Sequence, residues 1–139
     1  MTRVGITGTR MGASDEQLLR LDALLHEIEP EVLHHGDCWG VDAQANDLAI
    51  ERGIPVVIHP PENLRYWADC EMAEGSIRLP SKPYLERNKD IVDACDILIA
   101  VPSGPERLRS GTWSTVRYAR EQGREVLILS REIDDDESN

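Results

Sequence analysis

Phenylalanine is absent from this 139-residue chain, and its only aromatics are Trp39, Trp67, Trp113, Tyr66, Tyr84 and Tyr118. Each carries a polar edge, so each can mark a surface as readily as a core. Cysteine is scarce: Cys38, Cys70 and Cys95 form no CxxC pair, and an odd count is a poor basis for a disulfide framework. A reducing, cytoplasmic setting is expected. No apolar stretch is long enough for a signal peptide or a membrane span, so the chain is expected to be soluble and unprocessed, with no membrane partner. Basic residues are few. Lys and Arg total 15 against 26 Asp and Glu, a formal net charge of −11, which argues against a partner held mainly by phosphate neutralisation, such as long nucleic acid or an anionic membrane. Also missing are GxGxxG, the full Walker pattern, HExxH, GxSxG and any Cys-His pair at zinc spacing. Their absence leaves no support for a dinucleotide fingerprint, a P-loop, a serine triad or a resident metal, and no cofactor is expected.

The composition that remains, 40% hydrophobic and 29% charged, is enough for one core. A single domain over 1–131 is expected, followed by an acidic tail over 132–139 whose Glu132, Asp134, Asp135, Asp136 and Glu137 read as solvated and disordered. Within the domain, short apolar runs alternate with helix-period segments, the pattern of repeated βα units. Val4–Thr7 reads as a first strand. Ser14 and Gln17 form a capping box for a helix over about 15 to 28, where Leu18, Leu21, Leu25 and Ile28 recur at helical spacing. A second strand, Glu31–His34, leads through Gly36-Asp37-Cys38-Trp39-Gly40 to a helix ended by Gly53. Pro55–Ile58 is a third strand, Pro83 opens a helix to Ala94, Ile97–Val101 is a fourth strand, Thr112–Gln122 a helix and Val126–Leu129 a fifth strand. From Glu62 to Pro83 periodicity lapses, which predicts a lid, a binding loop or an oligomer contact carrying Tyr66, Trp67, Met72 and Ile77. The predicted fold class is therefore α/β: a single three-layer Rossmann-like domain whose mainly parallel five-stranded sheet, order 3-2-1-4-5, is flanked by helices.

In such a sheet the ligand binds beyond the carboxyl ends of the strands where strand order reverses, here between the first and fourth strands. The loops that follow them are Gly8-Thr9-Arg10-Met11-Gly12 and Ser103 through Arg109-Ser110-Gly111-Thr112, both rich in Gly and hydroxyls and both carrying arginine. The second opens a helix, whose first amides lack partners and whose dipole favours an anion. Gly111 and Thr112 either cap that helix or hold a phosphate, with Arg109 or Arg10 adding a charge-assisted fork. Two such loops at one switch point favour the anion site. On the preceding helix, Leu85, Asn88, Val92 and Cys95 share one face by spacing, so Asn88 is a polar residue on the expected buried stripe. It either ties down a loop or reads a ligand, with Arg87 beside it at the mouth. Gly36 and Gly40 are expected to make a tight turn, leaving Asp37 or Asp42 to accept ribose or base hydrogen bonds, or Asp42 to act as a helix-start carboxylate. His34 and His35 point to opposite faces of a strand, which disfavours a metal pair. For Cys38 a small, partly buried thiol is preferred to a nucleophile.

Val4-Gly5-Ile6-Thr7-Gly8-Thr9-Arg10, His35-Gly36-Asp37 with Gly40-Val41-Asp42, Arg87-Asn88, Asp96 and Arg109-Ser110-Gly111-Thr112 occur in an order and spacing that resembles the SLOG superfamily of Rossmann-like nucleotide-binding domains. The likeness is closest to its small stand-alone YspA-like branch and runs from Val4 to Leu129. It implies a homo-oligomer, dimer or tetramer. In the related LOG phosphoribohydrolases an arginine on the corresponding helix and a GT turn precede a catalytic glutamate. Glu86-Arg87-Asn88-Lys89 and Gly111-Thr112 are similar to the first two elements, but Ser114 stands at the glutamate position. Cleaving an N-glycosidic bond needs a carboxylate, so Asp37, Asp42 or Glu106 would have to substitute; Arg87, Asp37 and Asp42 are the catalytic candidates if the chain is a nucleoside-monophosphate N-glycosidase. The other relative, DprA, has a segment similar to Ser110 through Val126 and implies single-strand DNA binding, which here would rest on a local patch of Arg107, Arg109, Arg117 and Arg120. The expected function is binding of a small nucleotide-derived ligand, an adenine nucleotide, ADP-ribose or a cyclic relative, by a sensor, carrier or sequestering protein. The expected contacts are Gly8, Thr9, Arg10, Gly36, Asp37, Gly40, Asp42, Arg87, Asn88, Arg109, Ser110, Gly111 and Thr112, with Tyr66, Trp67 or Trp39 stacking on a base.

Overall fold

The computed structural model describes residues 1–131, so the expected acidic tail over 132–139 lies outside the described residues. The elements follow in the order β1 (Arg3–Gly8), α1 (Asp15–Ile28), β2 (Val32–His35), α2 (Val41–Arg52), β3 (Val56–Ile58), a 3-10 turn (Leu64–Tyr66), β4 (Ile77–Arg78), α3 (Tyr84–Ala94), β5 (Ile97–Val101), α4 (Gly111–Glu121) and β6 (Glu125–Ile128). The sheet is parallel throughout, with spatial order β4-β3-β2-β1-β5-β6. It has six strands, where the sequence predicted five. The five expected strands keep their expected order, and the sixth, the edge strand Ile77–Arg78, lies in the aperiodic segment. Both its residues are exposed, so it has no buried face and leaves no alternating pattern to read.

Alternation along β5 explains the two helix layers. Ile99 and Val101 join Val4, Ile6, Leu21, Leu25, Val41, Ala45 and Ala49 in one core, while Leu98 and Ala100 join Val92, Cys95, Trp113, Val116 and Ala119 in the other. Successive strand residues point to opposite faces, so β5 feeds both cores, one under α1 and α2 and one under α3 and α4. The helix ends are capped as the sequence implied. Ser14 and Gln17 satisfy each other's backbone at the start of α1, and Gly53 closes α2 with φ +68°. Gln17 does more than cap: fully buried, it donates to Pro102 O at 2.9 Å and Leu129 O at 2.8 Å. It thus ties the start of α1 to the chain leaving β5 and β6.

The segment 62–83 is pinned to the body by its backbone. Trp39 N donates to Tyr66 O, Ala68 N to Asp37 O and Leu79 N to Ile58 O, each at 2.9 Å. Asn46 Nδ2 reaches Glu71 O at 2.8 Å. The segment is a fixed wall beside the carboxyl ends of β2 and β3.

Two buried imidazoles lie along that wall. His34 Nδ1 and His59 Nε2 are 2.9 Å apart, a distance that needs one ring to donate and the other to accept. Burial, reinforced by nearby positive groups, holds each ring down to about 4. Unfolded histidine titrates near 6.5. The folded state therefore binds fewer protons, and the pair's contribution is whole above about pH 6.5 and is lost as pH falls towards about 4. Urea unfolding between pH 7 and pH 5 is expected to show stability falling by up to about 1.4 kcal/mol per pH unit for each ring that must take a proton. A His59→Gln variant should show a shallower slope, and equal slopes in the two proteins would contradict this account.

Candidate functional site

A cleft of about 510 Å³ opens at the carboxyl ends of β1 and β5, where strand order reverses. Gly8, Thr9, Arg10 and Met11 form the wall after β1, and Ser103, Arg107, Arg109, Ser110, Gly111 and Thr112 the wall after β5. Arg87, Asn88 and Ile91 of α3 face it from one side, Asp42 and Cys38 from the β2–α2 loop, and Pro61, Asn63, Tyr66 and Tyr84 from the rim. Of the expected contacts, Gly8, Thr9, Arg10, Asp42, Arg87, Asn88, Arg109, Ser110, Gly111 and Thr112 line the cleft. Gly36, Asp37 and Gly40 do not.

Each of those three has work of its own. Asp37 is fully buried and adopts φ +57°. Its carboxylate accepts from Trp67 Nε1 at 2.7 Å through one oxygen and from Cys70 N at 2.9 Å through the other. It anchors segment 62–83 and has no oxygen turned to a ligand. Gly40 adopts φ +81°, and a Cβ there would strike the Thr9 carbonyl and the Arg10 backbone. The first cleft loop thus packs directly on the start of α2. Gly36 lets the Arg87 guanidinium approach the backbone closely, since a Cβ there would overlap it.

Arg87 is buried, not at the mouth as the sequence predicted. It is 8% exposed, and its Nη1 donates to Gly36 O and, at 3.3 Å, to His59 O. No carboxylate partners it among the described residues, and its buried Nε has no hydrogen-bond partner. The expected stripe on α3 is correspondingly rotated. Arg87, Ile91 and Val92 face inward, Asn88 is half-buried at the cleft, and Leu85 is exposed. A reading that scores only apolar residues passes over an arginine whose stem packs like an aliphatic chain while its head satisfies carbonyls.

Asp42 is the only carboxylate among the described residues that line the cleft. Its Oδ2 accepts from Gly36 N at 3.1 Å and Cys38 N at 3.3 Å. Burial pushes its pKa up, against the opposing pull of His35, Arg87 and these two amides. Cys38 is half-buried, and burial raises its thiol to about 11, so at neutral pH it is a thiol and a poor nucleophile.

At the start of α4, Ser110 caps the helix by accepting from Trp113 N at 3.2 Å. The next residue, Gly111, faces open space: a Cβ added to it would meet no atom within 4 Å. The loop before it is fastened from behind. Trp113 Nε1 donates to Gly104 O at 3.2 Å, and Arg117 binds Glu106 at 3.0 Å and the Leu108 carbonyl at 3.2 Å. Arg107 and Arg109 remain on the cleft wall. Ser114, one turn into the helix, is half-buried and off the cleft.

Among the aromatics, Tyr66 and Tyr84 line the cleft. The Arg10 guanidinium sits 4.1 Å from the Tyr66 ring centroid, and Trp39 meets Tyr66 edge-on at 5.2 Å. Trp67 is turned away to Asp37. Tyr84, 53% exposed, carries no signal of a ligand contact in the sequence, because it heads a helix and its place beside the cleft follows from how α3 packs.

No protein-family model matches the sequence, and no curated protein matches it. Solved structures do. The molybdenum cofactor binding protein of the phototrophic bacterium Rippkaea orientalis superposes with TM-score 0.69 at 22% identity, over 94% of this chain and 77% of that one. The Moco carrier protein of Chlamydomonas reinhardtii gives 0.66 at 22% identity, over 94% and 77%. DNA processing protein A of Helicobacter pylori, described for its single-stranded DNA binding mode, gives 0.69 at 20% identity, over 96% and 67%. At these identities the likeness speaks to architecture alone, and among the described residues no helix is long and apolar enough to cross a membrane. The architecture shared with these structures is a Rossmann-like α/β fold, one parallel sheet flanked by helices.

Proposed function

We propose that this protein binds a small phosphate-bearing, nucleotide-derived ligand in the cleft between the β1 and β5 loops and holds it without turnover, as a sensor, carrier or sequestering protein of the cytoplasm. An adenine nucleotide, ADP-ribose or a cyclic relative is the ligand class. The observation that carries this reading is the meeting of the α4 N-terminus, open at Gly111, with four arginines on one concave surface. Free amides at a helix start and forked guanidinium groups are what phosphate oxygens bind.

Holding without turnover is supported by the carboxylates. N-glycosidic cleavage needs one free to stabilise or attack the sugar. Asp37 is spent on Trp67 and Cys70 N, Glu106 on Arg117, and Ser114 is off the cleft, while Asp42, the one carboxylate among the described cleft residues, is buried and holds two amides through Oδ2. Proteins of similar fold, one described as a molybdenum cofactor binding protein and one as a Moco carrier protein, favour the holding of a small ligand. The likeness to a single-stranded DNA binder points elsewhere, but Arg117 of the expected basic patch is paired with Glu106, and the chain carries −11 overall. A homo-oligomer is part of this proposal only through the sequence resemblance to the SLOG superfamily.

The test is calorimetric titration with adenosine 5′-monophosphate, ADP-ribose and a labelled oligonucleotide at low salt, with chromatography for released base. Saturable binding of a nucleotide at one site per chain, with no base released, is expected. Base release would make the protein an N-glycosidase, and binding of the oligonucleotide alone would replace this reading with the DNA one.

A further inference from the structure

Two helices begin at the cleft, and their first turns differ in charge. The start of α4 brings Ser110, Gly111 and Thr112 to it and has no acidic side chain, whereas α2 has Asp42 in its first turn, lining the same space. A carboxylate there offsets the positive end of the helix dipole and repels a second negative charge. Arg107 and Arg109 add positive charge to the wall that leads into α4. The cleft is thus polarised, with an anion favoured at α4 and an uncharged group at α2.

Asp42 is more than nine-tenths buried, yet only half of its carboxyl group is used. Oδ2 holds Gly36 N and Cys38 N, which fixes the group against the turn after β2. Among the described residues Oδ1 accepts no hydrogen bond, and no ion pair reaches the side chain. Nor is Oδ1 sealed off: the one enclosed side-chain polar atom without a partner among the described residues is Arg87 Nε. Oδ1 therefore opens on the cleft that Asp42 lines. A largely buried acceptor left unmet costs free energy, and a ligand that supplies a donor offsets it.

What meets Oδ1 follows from its chemistry. A phosphate oxygen is repelled by like charge, and a cationic amine by the four arginines that line the cleft. A hydroxyl donates and accepts at once, so it fits Oδ1 whether or not the carboxyl group carries a proton; the amino group of a base donates only and fits the ionised form alone. Burial pushes the Asp42 pKa up against the pull of His35, Arg87 and the two amides, which favours the partner that suits both forms. We infer that Asp42 Oδ1 reads a sugar hydroxyl of the ligand, so that the cleft selects a ribonucleotide over its deoxy counterparts and holds it with the phosphate toward α4 and the ribose toward α2. This rests on the small-ligand reading above and deepens it.

Titration calorimetry of wild type and Asp42→Asn with adenosine 5′-monophosphate, its 2′-deoxy and 3′-deoxy analogues and inosine 5′-monophosphate tests this. At least one deoxy analogue is expected to bind wild type at least tenfold more weakly than the parent, and Asp42→Asn should bring that analogue to within threefold of it. An Asp42 that only supported the β2–α2 turn would lower every affinity alike and leave the ratio unchanged. In wild type the Asp42 carboxyl carbon resonance should move with the parent nucleotide and stay with the rejected analogue, a readout that does not depend on the variant folding. Equal binding of the parent and both deoxy analogues, a loss confined to inosine 5′-monophosphate, which lacks the amino group, or an unchanged ratio in a folded Asp42→Asn overturns the hydroxyl inference while the small-ligand reading stands. If none of the four nucleotides binds, both are overturned.

Discussion

Asp37→Ala is expected to lower the free energy of unfolding by about 3–5 kcal/mol, read by urea denaturation at pH 7. The substitution strands two donors, Trp67 Nε1 and Cys70 N, that meet the carboxylate at 2.7 and 2.9 Å. Hydrogen bonds to a charged group contribute about 1.5–3 kcal/mol each. Alanine is also less at ease than aspartate at φ +57°. For a single domain with a total stability of about 5–15 kcal/mol this is a large share. Asp37→Asn, which keeps the turn and one acceptor, should cost less than half as much. A loss below about 1 kcal/mol for Asp37→Ala would show that segment 62–83 is held without this anchor.

Arg87→Met is expected to weaken nucleotide binding by a factor of about 30 or more, since losing one member of a desolvated charge-assisted contact costs about 2–5 kcal/mol. The same change removes the donor to Gly36 O and His59 O, so a smaller fall in stability should accompany it. Arg87→Lys separates the two effects: it keeps the charge and loses the fork. Partial recovery of affinity by lysine would assign the loss to charge at the ligand. A well-folded Arg87→Met protein with wild-type affinity would remove Arg87 from the site.

How far these residues could be read from sequence depends on the range of the interaction. Local signals carried well. The apolar periods of α1, the Ser14–Gln17 box and Gly53 mark helix ends through contacts within one turn, and the switch-point rule located the cleft through the loops after β1 and β5. Signals that depend on distant partners did not carry. Asp37 looks like a ligand carboxylate in its Gly-rich turn, and only the folded chain brings Trp67 and Cys70, 30 and 33 residues away, onto it. Arg87 looks like a mouth residue because arginine is usually exposed, whereas the missing Cβ of Gly36 is what makes room for it inside. β4 pairs through two residues and buries neither, so hydrophobic pattern cannot reveal it.

Gly111 permits the most direct test of the claim that phosphate binds at the start of α4. Its surroundings leave room for a methyl group and its backbone needs no left-handed conformation, so Gly111→Ala should fold normally and gain slightly in helix propensity. The methyl would occupy the space a phosphate needs. An amide chemical-shift titration of wild type and Gly111→Ala with adenosine 5′-monophosphate and ADP-ribose is the measurement. Saturable shifts are expected in wild type, concentrated at Gly8 to Met11, Arg87, Asn88 and Ser110 to Thr112, with at least tenfold weaker binding in a normally folded variant. Absence of shifts with both ligands, or identical binding by the two proteins, would contradict the claim.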